Sequence, residues 1–343
     1  MTGAALGAMR VLVTGGTGYL GSAIVSALRK AGHRPVVFAR RATTAFVSAG
    51  GAVEAVDGDV RDAVALAHAA RGCDGLVHAA ALVSIWQRDR TAFHAVNVGG
   101  LSNAVSAVRE HGIRRVVYTS SFLALPPPGA TAPLASNDYQ RTKVDAQRVA
   151  DRAIADGVPL VCVFPGVIYG PGPRTEGNLL GRLIADHLAG RLPGLAGGGR
   201  IWSFAWVEDV ARGHVAALER ACPGARYALG GENASQRRAF EIVRDLTGRA
   251  LPRSIPLPVA YAAGLAEEWR ARLTDALPIV TRGSVEILRH DWPLDSTAAQ
   301  RDLGYRLTPL RDGLARMVAE LADEAPGTRK DRLPHPPSRR GAQ

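Results

Sequence analysis

Short apolar runs alternate with longer amphipathic stretches over the first half of the chain. Runs rich in β-branched and aliphatic residues, typical of buried strands, cover 10–15, 34–39, 51–60, 74–81, 114–121 and 158–166. Apolar residues recur at helical spacing over 19–32, 61–71, 90–111 and 137–156. This alternation predicts an α/β fold with a Rossmann-type, doubly wound parallel sheet that binds ligands at the carboxyl ends of its strands.

The pattern changes after residue 168, where glycine and proline become dense. Shorter helices are predicted over 176–190, 208–221, 235–248, 257–272, 281–290 and 310–324. We therefore expect a first domain at 9–168 and a smaller, mostly helical substrate lobe at 169–325, with part of 200–230 returning to the sheet. Residues 1–8 and 326–343 are expected to be flexible extensions, since neither has a periodic pattern.

Composition and charge exclude several function classes. No apolar run approaches the roughly 18 residues of a transmembrane helix, and the start lacks an apolar leader, so we expect a cytoplasmic protein without a membrane span. The net charge is +11, but 326–343 holds five cations and one acidic residue, and the remaining charge forms no basic stripe. No nucleic-acid partner is therefore predicted. The three cysteines and nine histidines are dispersed without metal-ligand spacing, so no metal is predicted either.

The first strand leads directly into the glycine-rich stretch TGGTGYLG (14–21). Glycines in this position, between a strand and a helix, allow a tight turn and the close approach of a pyrophosphate. The N–H groups of the following helix would face that anion. A purely structural turn is the alternative, but the context favours a dinucleotide site that includes Gly15, Thr17, Gly18, Tyr19, Leu20 and Gly21.

The end of the second strand bears on the choice of cofactor. The strand ends in VVFARR, with Arg40 and Arg41 where a carboxylate would otherwise bind the ribose hydroxyls of NAD. Guanidinium groups suit a 2′-phosphate, so NADP(H) is predicted, with NAD(H) as the alternative. Both arginines could equally be solvated surface charges. Asp59 and the adjacent Val60, after the third strand, are expected beside the adenine, although an ordinary turn also explains this Asp.

Tyr139 and Lys143 lie four residues apart on a predicted helix and so share one face. The chain has only three lysines among its 42 basic residues, so the choice of Lys at 143 is informative. A nearby ammonium would favour the phenolate and lower the pKa of the tyrosine, and its compact charge would also bind ribose hydroxyls. The preceding strand ends in TSS (119–121), which offers a hydroxyl for a substrate oxygen. These residue types predict proton transfer to or from a carbonyl or alcohol oxygen.

Together these motifs resemble the extended short-chain dehydrogenase/reductase family. TGGTGYLG, GDVRD, HAAA, VVYTSS, YQRTK, PGVIYGPG and WVEDVARGHVAAL occur in the family's order over about 9–325. The chain is similar to the branch that holds dihydroflavonol 4-reductases, 3β-hydroxysteroid dehydrogenases and nucleotide-sugar epimerases. It departs from the usual family pattern at Leu101, Phe164 and Trp206, which leaves the Ser-Tyr-Lys triad intact but weakens any transfer of substrate contacts.

The resemblance implies roles for individual residues. Tyr139 would be the general acid/base, Lys143 would lower its pKa and bind the nicotinamide ribose, and Ser121 would bind the substrate oxygen, with Ser120 as the second choice. The resemblance also places these residues beside the cofactor: Ala79, Ala80, Asn97, Pro165, Gly166 and Val167. A homodimer through helices 90–111 and 137–156 would also be typical of the family.

Two kinds of enzyme and one binding protein fit these observations. We expect an NADP(H)-dependent oxidoreductase that interconverts a ketone or aldehyde and an alcohol on a fairly apolar substrate. An NAD-dependent nucleotide-sugar epimerase or dehydratase is the alternative, and a non-catalytic dinucleotide-binding regulator is disfavoured because Tyr139 and Lys143 are both present. Apolar aromatic residues expected in the substrate pocket support the NADP(H)-dependent oxidoreductase, although core packing would explain each of them as well. They are Trp86, Phe122, Trp202 and Trp206.

Overall fold

A computed structural model describes residues 7–47, 53–173, 175–274 and 276–323. The predicted extension 326–343 and most of the extension 1–8 lie outside the described residues. Within the described part, no helix is long and apolar enough to cross a membrane.

The strands and helices follow each other closely along the chain. The strands are β1 Arg10–Thr14, β2 Arg34–Ala39, β3 Glu54–Asp57, β4 Gly75–His78, β5 Arg115–Thr119, β6 Leu160–Pro165, β7 Val167–Tyr169, β8 Leu195–Ala196, β9 Ile201–Trp206, β10 Arg226–Leu229, β11 Glu232–Ser235 and β12 Ser254–Ile255. The helices are α1 Tyr19–Lys30, α2 Ala42–Val47, α3 Ala63–Ala70, α4 Thr91–His94, α5 Gly100–His111, α6 Asp138–Ala155, α7 Leu179–Leu188, α8 Val207–Arg220, α9 Gln236–Thr247, α10 Leu257–Leu273, α11 Arg282–Ile287, α12 Thr297–Leu303 and α13 Leu310–Asp323. A π-helical stretch, Ala95–Gly99, connects α4 to α5, and short 3₁₀ turns cover Phe122–Ala124 and Glu176–Asn178.

Seven of these strands form one parallel sheet in the order β10-β6-β5-β4-β1-β2-β3. The strand order reverses between β1 and β4, so a crevice opens there at the carboxyl ends of the strands. Apolar side chains cover both faces of this sheet: Leu12 and Leu76 lie in one core cluster, and Val13 and Val77 in the other. The predicted Rossmann-type fold is confirmed.

The predicted elements of the first half are present; β2 has the predicted bounds, and the other strands are shorter than the patterns indicated. The helix predicted over 90–111 contains the π-helical stretch, which widens one turn beside Asn97. Helices α2 and α12 were not predicted, because their six and seven residues are too short to show a clear helical period.

The second half is mostly helical, as expected, but it also contains two small sheets that the sequence did not indicate. Their orders are β11-β9-β7 and β12-β8. Their members have two to six residues and lie among glycines and prolines, so no alternation could develop. Strand β10 pairs with β6 and so extends the main sheet. A third core cluster, rich in aromatic residues, lies under the small sheets.

Candidate active site

The glycine-rich loop between β1 and α1 has the shape of a phosphate cradle. Gly15 has φ +70°, and a Cβ on it would lie 2.7 Å from the Ala80 Cα. A Cβ on Gly21 would overlap the Gly15 carbonyl, so both positions require glycine. Gly18 precedes α1 without a capping side chain, and the first turn of α1 carries no acidic residue. The free N–H groups of that turn and the cradle fit the pyrophosphate of a dinucleotide.

The other residues predicted in this loop differ in their surroundings. Thr17 is exposed and Leu20 is half-buried. The Tyr19 side chain is buried and lies beside Gly172, away from the cradle, so only its backbone is placed for an anion. Burial raises the pKa of the Tyr19 phenol, which keeps it protonated.

At the ends of β2 and β3, the nearby carboxylates already have partners. Asp57 accepts hydrogen bonds from the N–H and the hydroxyl of Thr43, at 2.9 and 2.6 Å. Asp59 accepts from the Arg61 guanidinium at 2.7 Å, and that contact, helped by Arg40, holds the pKa of Asp59 below its usual range. Arg40 is exposed at this edge, and its charge adds only a minor contribution to the lowered pKa of Asp59 beside that of Arg61.

Two other residues predicted beside the cofactor at this edge have clear surroundings. Arg41 is exposed, next to Arg40. Val60 is buried, and its carbonyl accepts a hydrogen bond from the Asn103 side chain at 2.9 Å. Two adjacent exposed guanidiniums therefore stand at the end of β2.

The structure brings Ser121 and Tyr139 together. Ser121 follows β5 and caps the 3₁₀ turn that begins at Phe122, while Tyr139 lies in the first turn of α6. Burial raises the pKa of Tyr139 to about 12, and a hydrogen bond with the Ser121 hydroxyl opposes part of that increase. The phenol is therefore protonated near neutral pH and is already paired with a hydroxyl that can share a substrate oxygen.

Ser120 also contacts α6, but not at Tyr139. Its hydroxyl donates to the Gln147 side chain at 2.8 Å, and the Gln147 amide in turn donates to Asp151 at 2.7 Å. Gln147 lies about two turns after Tyr139 on α6, so the two serines contact different turns of the same helix and only Ser121 meets Tyr139.

Lys143 is buried, and its ammonium donates to the Thr119 carbonyl at 3.0 Å. The Thr119 hydroxyl lies 2.9 Å from Nε2 of His214. His214 Nδ1 lies 2.7 Å from the Val210 carbonyl, so Nδ1 carries the hydrogen and Nε2 accepts from Thr119. Burial lowers the pKa of His214 to about 4, so the imidazole is neutral. A fixed chain of hydrogen bonds therefore runs from α8 to the ammonium of Lys143.

Sequence reasoning missed this chain of contacts. The only signal was a polar residue, His214, on the face of α8 that carries Val210, Ala211 and other buried residues. Burial also lowers the pKa of Lys143, to about 8. The ammonium lies 5.5 Å from the centre of the Tyr118 ring, which adds a cation–π contact.

A second buried histidine, His78, lies at the end of β4. Its Nδ1 is 2.9 Å from the Thr14 hydroxyl, and burial, with a smaller contribution from the Lys143 charge, lowers its pKa to about 3. This ring is neutral as well, so Lys143 is surrounded by neutral groups.

Asn97 holds the backbone around the site. Its side-chain oxygen accepts from the Leu82 N–H at 2.7 Å, and its amide donates to the Thr142 hydroxyl at 2.9 Å. The π-helical stretch thereby ties the segment after β4 to α6, one residue before Lys143. The Ala79 N–H bonds to the Thr14 carbonyl at 3.3 Å, so that segment begins beside the glycine-rich loop.

The segment Pro165-Gly166-Val167 crosses from β6 to β7 at the same edge of the sheet. The Gly166 N–H donates to the Leu229 carbonyl at 3.2 Å, and a Cβ on Gly166 would collide with the Ser203 carbonyl. The close approach of these backbones requires glycine here.

The aromatic residues predicted for the pocket separate into two groups. Phe122 and Trp202 are buried with their rings 6.0 Å apart, and Phe122 also contacts Trp292, which sequence reasoning missed. Trp206 is buried against Tyr169, at 5.4 Å. These rings form the wall behind Ser121 and the core of the second lobe.

Trp86 instead lines a cavity of about 760 Å³. This cavity also touches Asp138, the residue before Tyr139, and residues of α10 and α11 form another part of its wall. Arginines outnumber acids in its wall, which contains Arg88, Arg90, Arg141, Arg272 and Arg282 against Asp138 and Glu268.

Known proteins are similar to this chain over nearly its whole length. The model of the NAD dependent epimerase/dehydratase family matches residues 11–230. "Sterol demethylase protein B" of Methylococcus capsulatus is 32% identical, over 91% of this chain and 98% of that protein. A 2-alkyl-3-oxoalkanoate reductase of Stenotrophomonas maltophilia is 30% identical, over 92% of this chain and 100% of that protein.

Among solved structures, a double mutant of DesIV is similar to this chain in fold and moderately in sequence. DesIV is a dTDP-glucose 4,6-dehydratase from Streptomyces venezuelae, and the crystal structure has NAD and DAU bound. The match has a TM-score of 0.74 and 26% identity, and it covers 92% of this chain and 98% of that chain.

Proposed function

We propose that this protein reduces a ketone or aldehyde on a fairly apolar small molecule to an alcohol. The chain belongs to the NAD-dependent epimerase/dehydratase family and is an oxidoreductase of that family. The observation that carries this proposal is the Ser121–Tyr139 pair, with a neutral phenol beside a hydroxyl. The names of two relatives, a 2-alkyl-3-oxoalkanoate reductase and a sterol demethylase protein, support an apolar oxo substrate.

The two parts of the chain have separate tasks in this proposal. Residues 9–168 bind the dinucleotide, and the lobe at 169–325 shapes the substrate pocket. The stretch of that lobe that includes β10 also contributes to the main sheet. The glycine-rich loop would hold the pyrophosphate, because its cradle tolerates no side chain and its helix start offers free N–H groups.

The chain's own residues manage the substrate oxygen and its proton. When bound, the nicotinamide cofactor supplies the hydride. The Ser121 hydroxyl donates a hydrogen bond to the substrate oxygen and orients it beside the Tyr139 phenol. Tyr139 then gives its proton to that oxygen as negative charge develops there. The ammonium of Lys143, four residues away on the same face of α6, stabilises the phenolate left behind.

The pKa of Tyr139 favours the reductive direction. A phenol whose pKa is raised to about 12 is fully protonated near neutral pH, which is the state that donates. Oxidation of the alcohol needs the phenolate instead, so its rate should rise with pH.

We propose NADP(H) as the cofactor, because Arg40 and Arg41 are exposed at the end of β2. Replacing Arg40 with Ala should weaken NADPH binding about tenfold and leave NADH binding nearly unchanged, since only NADPH carries the 2′-phosphate. Fluorescence titration with both cofactors measures this. Arg34→Ala, at the opposite end of the same strand, is the matched control. Equal losses for the two cofactors in Arg40→Ala would show that this arginine does not bind the phosphate.

A nucleotide-sugar epimerase or dehydratase with tightly held NAD is the second candidate. Similarity to DesIV supports it, and the excess of arginines in the cavity beside Asp138 would suit a diphosphate. Three of those five arginines are already paired with acids: Arg90 and Arg141 with Asp138, and Arg282 with Glu268.

Tyr139→Phe tests the proposed chemistry directly. Turnover should fall by about 10²–10⁴-fold because the variant has no phenolic proton, while cofactor affinity should stay unchanged. Tyr118→Phe is the matched control: it removes one phenolic hydroxyl from another buried tyrosine and keeps the ring next to Lys143. A Tyr139→Phe enzyme with wild-type turnover would refute the assignment.

A further inference from the structure

Exposed apolar side chains are concentrated in one part of the second lobe. Of the twelve large hydrophobic residues exposed in the described part, seven lie between residues 259 and 279. We call these seven the α10 patch: Val259, Tyr261, Leu265, Trp269, Leu273, Leu277 and Ile279. A patch of this kind marks an interaction surface, whereas single exposed hydrophobic residues need no explanation.

Helix α10 explains why these side chains point outward. Four of the patch residues, from Tyr261 to Leu273, follow one another at four-residue spacing and so share one face. The buried side of α10 consists of Ala260, Gly264, Glu268 and Ala271, and a Cβ on Gly264 would lie 2.9 Å from the Arg282 N–H nitrogen. The backbone of α10 thus packs tightly on the start of α11, and no large apolar side chain fits between them.

The helix is also fixed in this orientation by a polar contact on its inner side. The buried carboxylate of Glu268 accepts from the Arg282 guanidinium at 2.7 Å and from the Arg282 backbone N–H at 2.8 Å. Rotating α10 to bury the patch would break this ion pair. The contacts between α10 and α11 therefore keep Glu268 buried and the α10 patch exposed.

The size and position of the exposed side chains match a lipid surface. Leu273, Leu277 and Ile279 are 79%, 68% and 77% exposed, so they project beyond the protein surface. Trp269 lies one turn before Leu273, and Tyr261 lies two turns further toward the start of α10; these two residue types are enriched at the level of lipid headgroups. Exposed apolar and aromatic side chains of this kind can insert at the boundary of headgroups and acyl chains.

Charge beside the patch favours anionic lipids over a second copy of the chain. The cavity next to the patch has five arginines and two acids in its wall, and the whole chain has a net charge of +11. A two-fold contact through this face would bring the same excess of positive charge together from both sides, which is unfavourable. A surface of anionic phospholipid meets both the apolar side chains and the cations.

We propose that the α10 patch docks this protein on the surface of an anionic phospholipid bilayer. This goes beyond the proposed function and does not depend on it.

The test is flotation of the full-length protein with vesicles of phosphatidylcholine alone and of phosphatidylcholine mixed with phosphatidylglycerol. The wild type should bind the mixed vesicles, less so at high salt, and bind the neutral vesicles weakly. Leu273→Ser/Ile279→Ser should weaken binding by about tenfold or more, because two projecting apolar side chains no longer insert. Val64→Ser/Leu246→Ser is the matched control, since it removes exposed apolar side chains from α3 and α9.

Three results would overturn the proposal. In the first, the wild type does not bind the mixed vesicles. In the second, the Leu273→Ser/Ile279→Ser variant binds them as well as the wild type does. In the third, deletion of the basic residues 326–343 abolishes binding and the double variant does not. A wild-type dimer in gel filtration that becomes a monomer in this variant, without vesicle binding, would assign the patch to a second copy instead.

Reduction of a water-soluble ketone in the same samples separates this proposal from the proposed function. Both double variants should keep that activity, because neither changes the cavity wall or the site around Tyr139. Vesicle binding without any ketone reduction would leave the docking surface in place and refute only the proposed function.

Discussion

Helices α6 and α10 have nearly the same length, 18 and 17 residues, but each places one kind of side chain against the usual rule. Helix α6 buries a lysine, Lys143, at 3% exposure. Helix α10 leaves Leu273 at 79% exposure. Cations are rarely fully buried, and apolar side chains are rarely this exposed in groups.

Buried Lys143 and the exposed α10 patch both lower the stability of the folded protein. Burial lowers the pKa of Lys143 from an ordinary 10.5 to about 8, so the charged form is disfavoured inside the protein. The α10 patch leaves apolar surface in water that could have been buried. Residues that depart from the usual burial rules concentrate at functional sites. We therefore assign Lys143 to the proposed chemistry and the α10 patch to the proposed docking surface.

The two serines after β5 offer the largest effect outside Tyr139 itself. Ser121→Ala should reduce turnover about 10²-fold, because the substrate oxygen loses a positioned donor beside Tyr139. Ser120→Ala, its matched control, removes only the hydrogen bond to Gln147 and should lower the free energy of unfolding by about 1 kcal/mol with turnover kept. Steady-state kinetics and urea unfolding measure the two effects. If Ser120→Ala lost turnover and Ser121→Ala kept it, the assignment of the two serines would be reversed.

Lys143→Met should stabilise the protein near neutral pH by about 2 kcal/mol. The lowered pKa corresponds to a burial penalty of about 3 kcal/mol, and the lost hydrogen bond to the Thr119 carbonyl offsets about 1 kcal/mol of the gain. Below pH 8 both the folded and unfolded wild type carry the charge, so the penalty is complete there. Between pH 8 and 10.5 the folded state loses its proton first, so the penalty and the advantage of Met both shrink.

Urea unfolding of both proteins at neutral and alkaline pH measures this difference. The variant should be more stable yet almost inactive, which separates the functional role of the lysine from a structural one. A Met variant that is less stable than the wild type at neutral pH would mean that the Thr119 and Tyr118 contacts outweigh the burial of the charge.

The smallest effect concerns stability in the absence of vesicles. Leu273→Ser on α10 should change the free energy of unfolding by less than about 0.5 kcal/mol, because the side chain is already in water. Ala150→Leu on the fully buried face of α6 should cost about 1–3 kcal/mol through overpacking. Urea unfolding checks both, and a large loss in Leu273→Ser would show that the patch contributes to the core.

Local spacing in the sequence was enough for the parts of the site that lie within one loop or helix. The glycines of the first loop and the pair Tyr139 and Lys143 follow rules of turn geometry and helical period, which act over a few residues. The alternation of strands and helices predicted the Rossmann-type sheet for the same reason.

Contacts between distant segments could not be predicted this way. The chain from Lys143 through Thr119 to His214 joins three elements, and nothing near residue 214 indicates that its ring faces β5. Trp202 and Trp206, predicted to line the pocket, are buried in the third core cluster, against which Tyr139 also packs, and this contact is not visible in the sequence. Apolar and charged residues are spread around the circumference of α10, so its sequence does not indicate which side faces water.

The central claim, reduction of an external carbonyl group, is tested most directly by the cofactor state and activity of freshly purified protein. The cofactor is released by denaturation and identified by absorbance and mass, and NADPH oxidation is then followed with and without an apolar ketone. The account predicts protein that carries little cofactor, binds NADPH more tightly than NADH, and oxidises NADPH only when the ketone is added. Protein that carries tightly bound NAD and interconverts nucleotide-sugars without net oxidation of the cofactor would contradict it.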